Sequence, residues 1–275
     1  MRGENDSILH DGDTIFHYTN MRAAMEHILY EKKLRFSKST KTNDPREYKE
    51  WDFSTYINNS VANDTSLLSV EVKIKLGNIM RSDYKLACFC SNRSDKGSNS
   101  EIDSFLFKKM GMYGYDRLRM WSQYGDEFRG VSIAFSAAAL ENRLRDLLGQ
   151  DAFIFSGHVD YVDNLHAKDL SILMLNGNEL RDKGTDIYAN DHVRKNIKNI
   201  FFTKHIDYRD ENEYRIVFHD HEDRFEEIDI TGCIKAVILG DRFPLVYEES
   251  IDVLCKELGA ENKRALWFMS KLVVG

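Results

Sequence analysis

The sequence predicts an α+β protein whose strands form largely antiparallel sheets. A doubly wound parallel sheet requires strands and helices to alternate along the chain, and this sequence has more candidate strands than that alternation allows. None of them is a long run of valine and isoleucine, the pattern typical of a parallel strand buried on both faces. Two candidates, 225–230 and 234–239, are also spaced as in a hairpin, with Gly232 between them.

Runs of alternating or apolar character, bounded by polar turns, predict the strands. They cover residues 14–18, 34–37, 85–90, 130–135, 153–161, 212–218, 225–230, 234–239 and 266–274. The polar stretch 91–103 is predicted to be a mobile loop, for which a lid over a ligand and a plain connector both stay open.

Apolar residues at helical spacing, such as Ala24, Ile28 and Leu29, predict the helices. They cover residues 21–30, 47–58, 66–80, 119–125, 137–148, 165–180, 186–202 and 244–258. No Pro- or Ser-rich linker and no internal repeat divides the chain of 275 residues. We therefore expect a single domain over 1–275, with a helical insertion around 164–203.

The composition excludes some classes of function. A formal charge of −7 argues against tight non-specific binding of nucleic acid, which depends on neutralising phosphates, although a local basic groove stays open. No apolar run is long enough to span a bilayer and the N-terminus is too polar for a secretory signal, so a cytoplasmic location without membrane contact is expected. The four cysteines lack CxxC spacing, which argues against a disulfide framework or a structural zinc site.

Polar side chains gather where the first strand ends. His17, Tyr18 and Thr19 stand at its mouth, and a second polar group follows the next strand at 43–47. Structural explanations stay open for both: a histidine at a strand end is often simply hydrogen-bonded, and Asn-Asp-Pro is a common turn signal. Neither GxGxxG nor GxxxxGK[ST] occurs, so a Rossmann or P-loop nucleotide site is not indicated.

Several motifs resemble those of an uncharacterised bacterial family that is often associated with abortive infection and phage defence. They are His-Tyr-Thr at 17–19, Asn-Asp-Pro at 43–45 with Glu47, Cys-Phe-Cys-Ser at 88–91, Met-Trp-Ser-Gln-Tyr-Gly at 120–125, Gly-Val-Ser-Ile-Ala-Phe at 130–135, and Glu-Asn-Glu-Tyr-Arg at 211–215. Together they span about residues 14–218, which is most of the chain.

The same motifs also resemble the His-Tyr-Glu class of the ADP-ribosyltransferase superfold. His17 and Thr19 are similar to its first element, Tyr124 to its aromatic residue and Glu213 to its late glutamate, while Tyr18 stands where the class has glycine. The resemblance implies a mostly antiparallel split β-sheet core with helical insertions and NAD as the substrate.

The resemblance also implies roles for individual residues. Glu213 would stabilise the cation-like sugar of the transition state, His17 would bind the second ribose, and Thr19 would add a hydroxyl donor. Tyr124, and next Tyr18 or Trp121, would clamp the nicotinamide ring.

Further residues complete the expected cofactor-binding set. Arg35 or Lys38 would contact the pyrophosphate. The remaining candidates come from the two polar motifs, and they are Asn43, Asp44, Glu47, Glu211 and Arg215.

Structural alternatives stay open for these motifs as well. The apolar stripe around Trp121 fits a core as well as a cofactor contact. Glu213 and Arg215 share a strand face, so an exposed ion pair is possible there. Lys204 is a candidate pairing cation for Glu211 or Glu213.

Residues 219–223, His-Asp-His-Glu-Asp, contain five ligand types in a row. Five consecutive side chains cannot all converge on one ion, so we expect a solvated turn and no metal site.

The sequence thus predicts an NAD-dependent ADP-ribosyltransferase-like enzyme that acts as a phage-defence effector or toxin. The acceptor could be a protein, a nucleic acid or water, and transfer to water would be NAD hydrolysis. Two alternatives are a non-catalytic module that binds a nucleotide or a partner, and a metal-dependent nuclease that uses 219–223 with Glu211 or Glu213.

Overall fold

A computed structural model of the chain describes residues 7–42, 44–57, 60–61, 67–92, 113–163, 170–220, 226–268 and 271–275. It is a mixed α+β structure with a large, mostly antiparallel sheet, as the sequence predicted in outline. No helix in these described ranges is long and apolar enough to cross a membrane.

The elements are numbered in chain order. The strands are β1 (Thr14–Thr19), β2 (Lys33–Lys38), β3 (Ser54–Ile57), β4 (Ser60–Val61), β5 (Tyr84–Ser91), β6 (Val131–Ser136), β7 (Ile154–His158), β8 (Asp160–Val162), β9 (Met174–Asn176), β10 (Thr203–His205), β11 (Glu213–His219), β12 (Glu226–Asp229), β13 (Ile234–Leu239), β14 (Glu261–Phe268) and β15 (Lys271–Val274). The α-helices are α1 (Ser7–His10), α2 (Pro45–Tyr48), α3 (Leu67–Ser82), α4 (Leu118–Gln123), α5 (Ala137–Leu148), α6 (Gly177–Lys183), α7 (Thr185–Lys195), α8 (Ile197–Phe201) and α9 (Glu248–Leu258), and Ala23–Leu29 is a π-helix.

Ten strands form the main sheet, in the order β12-β2-β5-β1-β6-β13-β14-β15, with β11 and β7 attached through the other edge of β5. Only the β13–β14 pair of this sheet is parallel among the described pairings, and α9 makes the crossover between the two strands. Two small sheets, β10-β8 and β4-β3-β9, lie beside it.

The main sheet forks at β5. One edge of β5 pairs with β11 along its length. The opposite edge pairs with β1 near Cys90 and with β2 at Leu86 and Lys85, and the described pairings leave 87–89 without a partner on that edge. Because β1 and β2 use different ends of the same edge, they diverge from each other and leave a gap between them.

The alternation of side chains along the strands divides the core between the two faces of the sheet. On one face, residues such as Ile15, Phe89 and Ile216 pack together with Leu140 of α5 and Ile251 of α9. The other face carries separate apolar clusters around β5 and β1. The fork of the sheet at β5 is therefore bordered by packed apolar regions on both faces.

The predicted helix over 47–58 is wrong. Asp44 accepts a hydrogen bond from Arg46 N at 2.9 Å, so α2 begins at Pro45 and ends after one turn at Tyr48. The chain then forms β3, which pairs with β9 in parallel. The cap and the proline at the first helical position thus start the helix earlier than the apolar pattern suggested.

The predicted helix over 165–180 is interrupted by a strand in its described part, and residues 177–180 at its end are α-helical. β9 occupies Met174–Asn176, and the Asn176 side chain accepts hydrogen bonds from the amides of Asn178 and Glu179. This cap starts α6 only at Gly177.

Two predictions about the last strands need correction. The segments 225–230 and 234–239 are strands but not a hairpin, because β12 pairs with β2 while β13 pairs with β6. The predicted terminal strand over 266–274 is instead a pair, β14 and β15, which are antiparallel. Short turns between strands did not reveal which neighbour each strand pairs with, since pairing depends on contacts distant in sequence.

Close backbone approach at Gly240 yields a stability prediction. A Cβ at Gly240 would lie 2.1 Å from the carbonyl oxygen of Phe128. We expect Gly240→Ala to lower the free energy of unfolding by about 1–3 kcal/mol, because the backbone must move to relieve the clash. Gly12→Ala, where a Cβ would meet nothing within 4 Å, should change it by less than about 0.5 kcal/mol. Urea unfolding of both variants measures the difference. Equal midpoints would contradict the close approach of Gly240 to the Phe128 carbonyl.

Candidate functional site

A cavity of about 330 Å³ lies at the fork of the main sheet. Its walls come from β1, β2 and β5, from Tyr124 just after α4, and from Lys204, Glu211 and Glu213. The register explains this arrangement: Glu213 lies opposite Cys90 and Arg215 opposite Cys88, so the polar side chains of β11 share a face with the cysteines of β5. The volume is in the lower part of the range for small-molecule sites, roughly 300–1,000 Å³.

The cavity brings together about half of the predicted site residues. Those that line it are His17, Tyr18, Arg35, Lys38, Tyr124, Glu211 and Glu213. Those that do not are Thr19, Asp44, Glu47, Trp121 and Arg215. Asn43 lies outside the described residues, as does most of the predicted loop 91–103.

Five buried charged groups form a continuous chain that begins behind the cavity and reaches its wall. We call it the charge chain, and its members are Glu47, Arg215, Glu213, Lys204 and Glu211. Arg215 contacts Glu47 through Nη1 and donates from Nε to Glu213 Oε1 at 2.6 Å. Lys204 Nζ lies 2.8 Å from both Glu213 Oε2 and Glu211 Oε2. The pairing of Glu213 with Arg215 is therefore present, but it is buried instead of exposed.

Neighbouring groups hold three members of the charge chain in place. The Tyr124 hydroxyl donates to Glu211 Oε1 at 3.1 Å. The amide of Glu213 donates to the Tyr161 hydroxyl at 2.9 Å, and Arg215 Nη1 donates to the Phe201 carbonyl at 2.6 Å. The backbone of Glu213 is thus held by β8, and the side chain of Arg215 by α8.

The charge chain controls the protonation of its members. Burial raises the pKa of Glu213, but Arg215 and Lys204 more than reverse this and lower it to about 2, so Glu213 is a carboxylate at neutral pH. Burial lowers the pKa of Lys204, but the charges of Glu213 and Glu211 outweigh this effect and raise it. Burial and the charge of Glu211 raise the pKa of Tyr124, which stays a neutral hydrogen-bond donor.

His17 lines the cavity at the gap that β1 and β2 leave along the edge of β5. By strand alternation it points away from Phe16 and Tyr18, but β1 leaves β5 after Phe16, and His17 Nδ1 lies 3.3 Å from the Cys88 carbonyl oxygen. Since a carbonyl only accepts, we assign the proton to Nδ1, which leaves Nε2 as an acceptor. Burial lowers the pKa of His17, so the ring is neutral.

Tyr18 and Trp121 have mainly structural contacts. The Tyr18 hydroxyl donates to the Gly114 carbonyl at 2.6 Å, and Trp121 Nε1 donates to the Tyr115 carbonyl at 2.7 Å. Their rings meet edge to face with centroids 5.0 Å apart. Trp121 is fully buried and does not line the cavity, so Tyr18 and Tyr124 are the predicted clamp residues that border it.

The predicted polar group at 43–47 is divided between a turn and the charge chain. Asp44 is a buried helix cap, and Glu47 contacts Arg215 behind the cavity wall. The adjacent Arg46 donates to the carbonyls of Asn199 and Thr203 at 2.8 and 2.9 Å, which fixes α2 to the end of α8 and to β10. Glu47 therefore reaches the site through another residue.

Comparison with known proteins gives one match. Residues 120–216 match the model of a family described as "Protein of unknown function (DUF2971)". No curated protein and no solved structure matches the chain. The matched segment contains Tyr124, Lys204, Glu211 and Glu213, whereas His17 and the cavity residues of β2 and β5 lie before it.

Sequence reasoning did not assign Lys41, Thr42 and Cys88 to the cavity, although all three line it. Burial and the charge of Glu213 raise the pKa of the Cys88 thiol well above its ordinary value, so it is a neutral group there. The two-residue spacing of Cys88 and Cys90 placed both on one face of a strand, but only the fork of the sheet shows that this face borders a cavity.

In the described part of the chain, no group of three or more His, Cys, Asp or Glu side chains could hold a metal ion. Residues 221–223 of the predicted His-Asp-His-Glu-Asp turn lie outside the described ranges. Asp220, which is described, pairs with Lys85 at 3.1 Å.

Lys204 yields a second stability prediction. Lys204→Met would leave Glu211 and Glu213 buried without their shared cation, and we expect a loss of about 3–5 kcal/mol in the free energy of unfolding. Lys256→Met removes a cation that is 73% exposed in a helical pair with Asp252, and should cost far less because water screens an exposed ion pair. Urea unfolding at pH 7 compares the two, and similar losses would show that the charge chain is not a buried network.

Proposed function

We propose that the cavity binds NAD and that the chain is an ADP-ribosyltransferase-like enzyme, which transfers ADP-ribose to an acceptor or to water. The observation that carries this proposal is that His17, Tyr124 and Glu213 line a single cavity at the fork of the sheet. These residues come from segments distant in sequence, and they are the three to which the motif resemblance gives the central roles.

The charge distribution of the cavity supports NAD as the ligand. One wall carries Arg35, Lys38 and Lys41, which suit a pyrophosphate, although Arg35 also pairs with Glu227 at 3.2 Å. The opposite wall carries Glu211, Glu213 and Lys204, which together leave one formal negative charge. A ligand with an anionic middle and a cationic ring at one end matches this polarity.

The reaction breaks the bond between C1 of the ribose and the nicotinamide nitrogen. The bonding electrons go to the nicotinamide, the sugar carbon becomes cation-like, and the acceptor then bonds to that carbon and loses a proton. Glu213 suits electrostatic stabilisation of the sugar because it is ionised at neutral pH. It does not suit proton transfer, since its pKa of about 2 is far from neutrality.

His17 suits binding of a ribose hydroxyl. Its Nδ1 is engaged by Cys88, so Nε2 can accept a hydrogen bond from a hydroxyl of the ligand. Tyr124 offers an aromatic face beside the carboxylates, and its hydroxyl keeps it oriented towards Glu211. The resemblance of the motifs to abortive-infection proteins supports a biological role as a phage-defence effector or toxin.

A second candidate function is binding of the nucleotide without turnover. It is favoured by the ion pairs of Glu213, both of whose carboxylate oxygens contact a cation. A ligand that needs this carboxylate would have to share it with Lys204 and Arg215, which weakens the negative charge available to the sugar.

Release of nicotinamide from NAD tests the proposal, alone and with cell lysate as a source of acceptors. We expect Glu213→Gln to lower kcat/KM by about 10²–10³-fold, because a charge at the transition state is lost. His17→Ala should lower it by about tenfold through the loss of one hydrogen bond. Thermal stability and circular dichroism of each variant establish that it is folded.

Matched controls are available on the π-helix. Glu26→Gln and His27→Ala change the same residue types on the exposed surface and should leave activity unchanged. If the wild type releases no nicotinamide and NAD does not raise its melting temperature, the NAD proposal is rejected. A thermal shift without release selects the binding module, and full activity in the His17→Ala, Glu213→Gln double variant would show that the residue assignment is wrong.

A further inference from the structure

Glu47 belongs to the charge chain but does not line the cavity. It lies on α2 and contacts Nη1 of Arg215, while Nε of the same guanidinium donates to Glu213 Oε1 at 2.6 Å. Arg215 is completely buried and is also anchored to the Phe201 carbonyl. One rigid, permanently charged group therefore connects Glu47 to the carboxylate in the cavity wall.

The formal charges of the chain do not balance. Three carboxylates, Glu47, Glu211 and Glu213, face two cations, Lys204 and Arg215. No side chain of the five is more than 5% exposed. An unbalanced buried charge is costly, and the usual response of a protein is to neutralise one group by binding a proton.

The contacts indicate which carboxylate takes that proton. Glu213 contacts two cations and is held as a carboxylate. Glu211 contacts Lys204 and accepts from the Tyr124 hydroxyl. Glu47 contacts only Arg215 in the charge chain, which it shares with Glu213, and burial raises its pKa.

We infer that Glu47 is a positioning residue that carries the balancing proton of the charge chain and acts on Glu213 through Arg215. When Glu47 is protonated, Arg215 forms an ion pair with Glu213 alone. When Glu47 ionises, its proton goes to solvent and Arg215 pairs with both carboxylates. The charge chain then gains one negative charge. A cationic group in the cavity favours the ionised form, so its binding is coupled to release of this proton; this part rests on the proposed function.

Charged and titratable groups near Glu47 come from three strands and from its own segment. They are Arg215 and Glu213 on β11, Lys204 on β10, Cys88 on β5, and Arg46 and Asp44 on its own segment. Arg215 favours the ionised form of Glu47, whereas Glu213 opposes it. Arg46 is directed towards the carbonyls of Asn199 and Thr203.

Unfolding of the unliganded protein between pH 5 and 9 tests the proton on Glu47. Because its folded pKa is raised above the ordinary 4.5, the folded state holds the proton more tightly than the unfolded state. The stability that this proton contributes is complete below pH 4.5 and is lost as the pH rises through the folded pKa. Glu47→Gln keeps an oxygen that can accept from Arg215 but cannot ionise. Its stability should therefore not show this decrease as the pH rises.

The ratio of the unfolding constants, wild type over Glu47→Gln, should therefore rise by up to tenfold per pH unit between the two pKa values. Glu50→Gln, at a side chain that is 88% exposed, should follow the wild type at every pH. Parallel curves for wild type and Glu47→Gln overturn the inference. If Glu47→Gln does not fold, infrared spectra of the wild type decide: a protonated-carboxyl band must persist above pH 5, and its absence there overturns the inference.

Calorimetry of NAD binding in buffers of different ionisation enthalpy tests the coupling. We expect the wild type to release up to one proton per NAD near the folded pKa of Glu47, and Glu47→Gln to release none. If the free protein shows the titration but NAD does not bind, the NAD proposal fails while the proton assignment stands. Equal proton release by both proteins overturns the coupling.

Discussion

The buried charge chain is the constraint on which the site depends. Arg215 is fully enclosed and cannot lose its charge, so Glu47 and Glu213 must reach it from α2 and from its own strand. Lys204 then has to lie between Glu213 and Glu211, which fixes β10 and the turn before β11. Removing Arg215, Glu213, Lys204 or Glu211 would leave a buried charge unmatched, so the positions of these segments depend on one another.

The second constraint is competition for one edge of β5. With β11 along the other edge, β1 and β2 each obtain only two described pairings at opposite ends of this edge. The polar backbone exposed between them must be satisfied in another way, and His17 bonds to one of its carbonyls. The fork is therefore both the cause of the cavity and the reason why a histidine side chain points into it.

Sequence patterns predicted what depends on local chemistry. The helix Ala137–Leu148 and the strand Ile234–Leu239 follow from spacing and capping alone, and the common face of Glu213 and Arg215 follows from strand alternation. Alternation does not reveal what covers a face, so the sequence left open an exposed ion pair where the structure has a buried one. The role of Glu47 was equally hidden, because its partner lies 168 positions away in the chain.

The two walls of the cavity come from different segments of the chain. A resemblance that covers one segment therefore supports inferences about one wall only. The carboxylates, Lys204 and Tyr124 lie within the segment 120–216 that matches a family model, while His17 and the cations of β2 lie before it. A ligand that needs both an anionic and a cationic wall cannot be inferred from either segment alone. The polarity of the site arises only where β11 and the fork of β1 and β2 meet on β5, so its chemistry is a property of the sheet topology rather than of one motif.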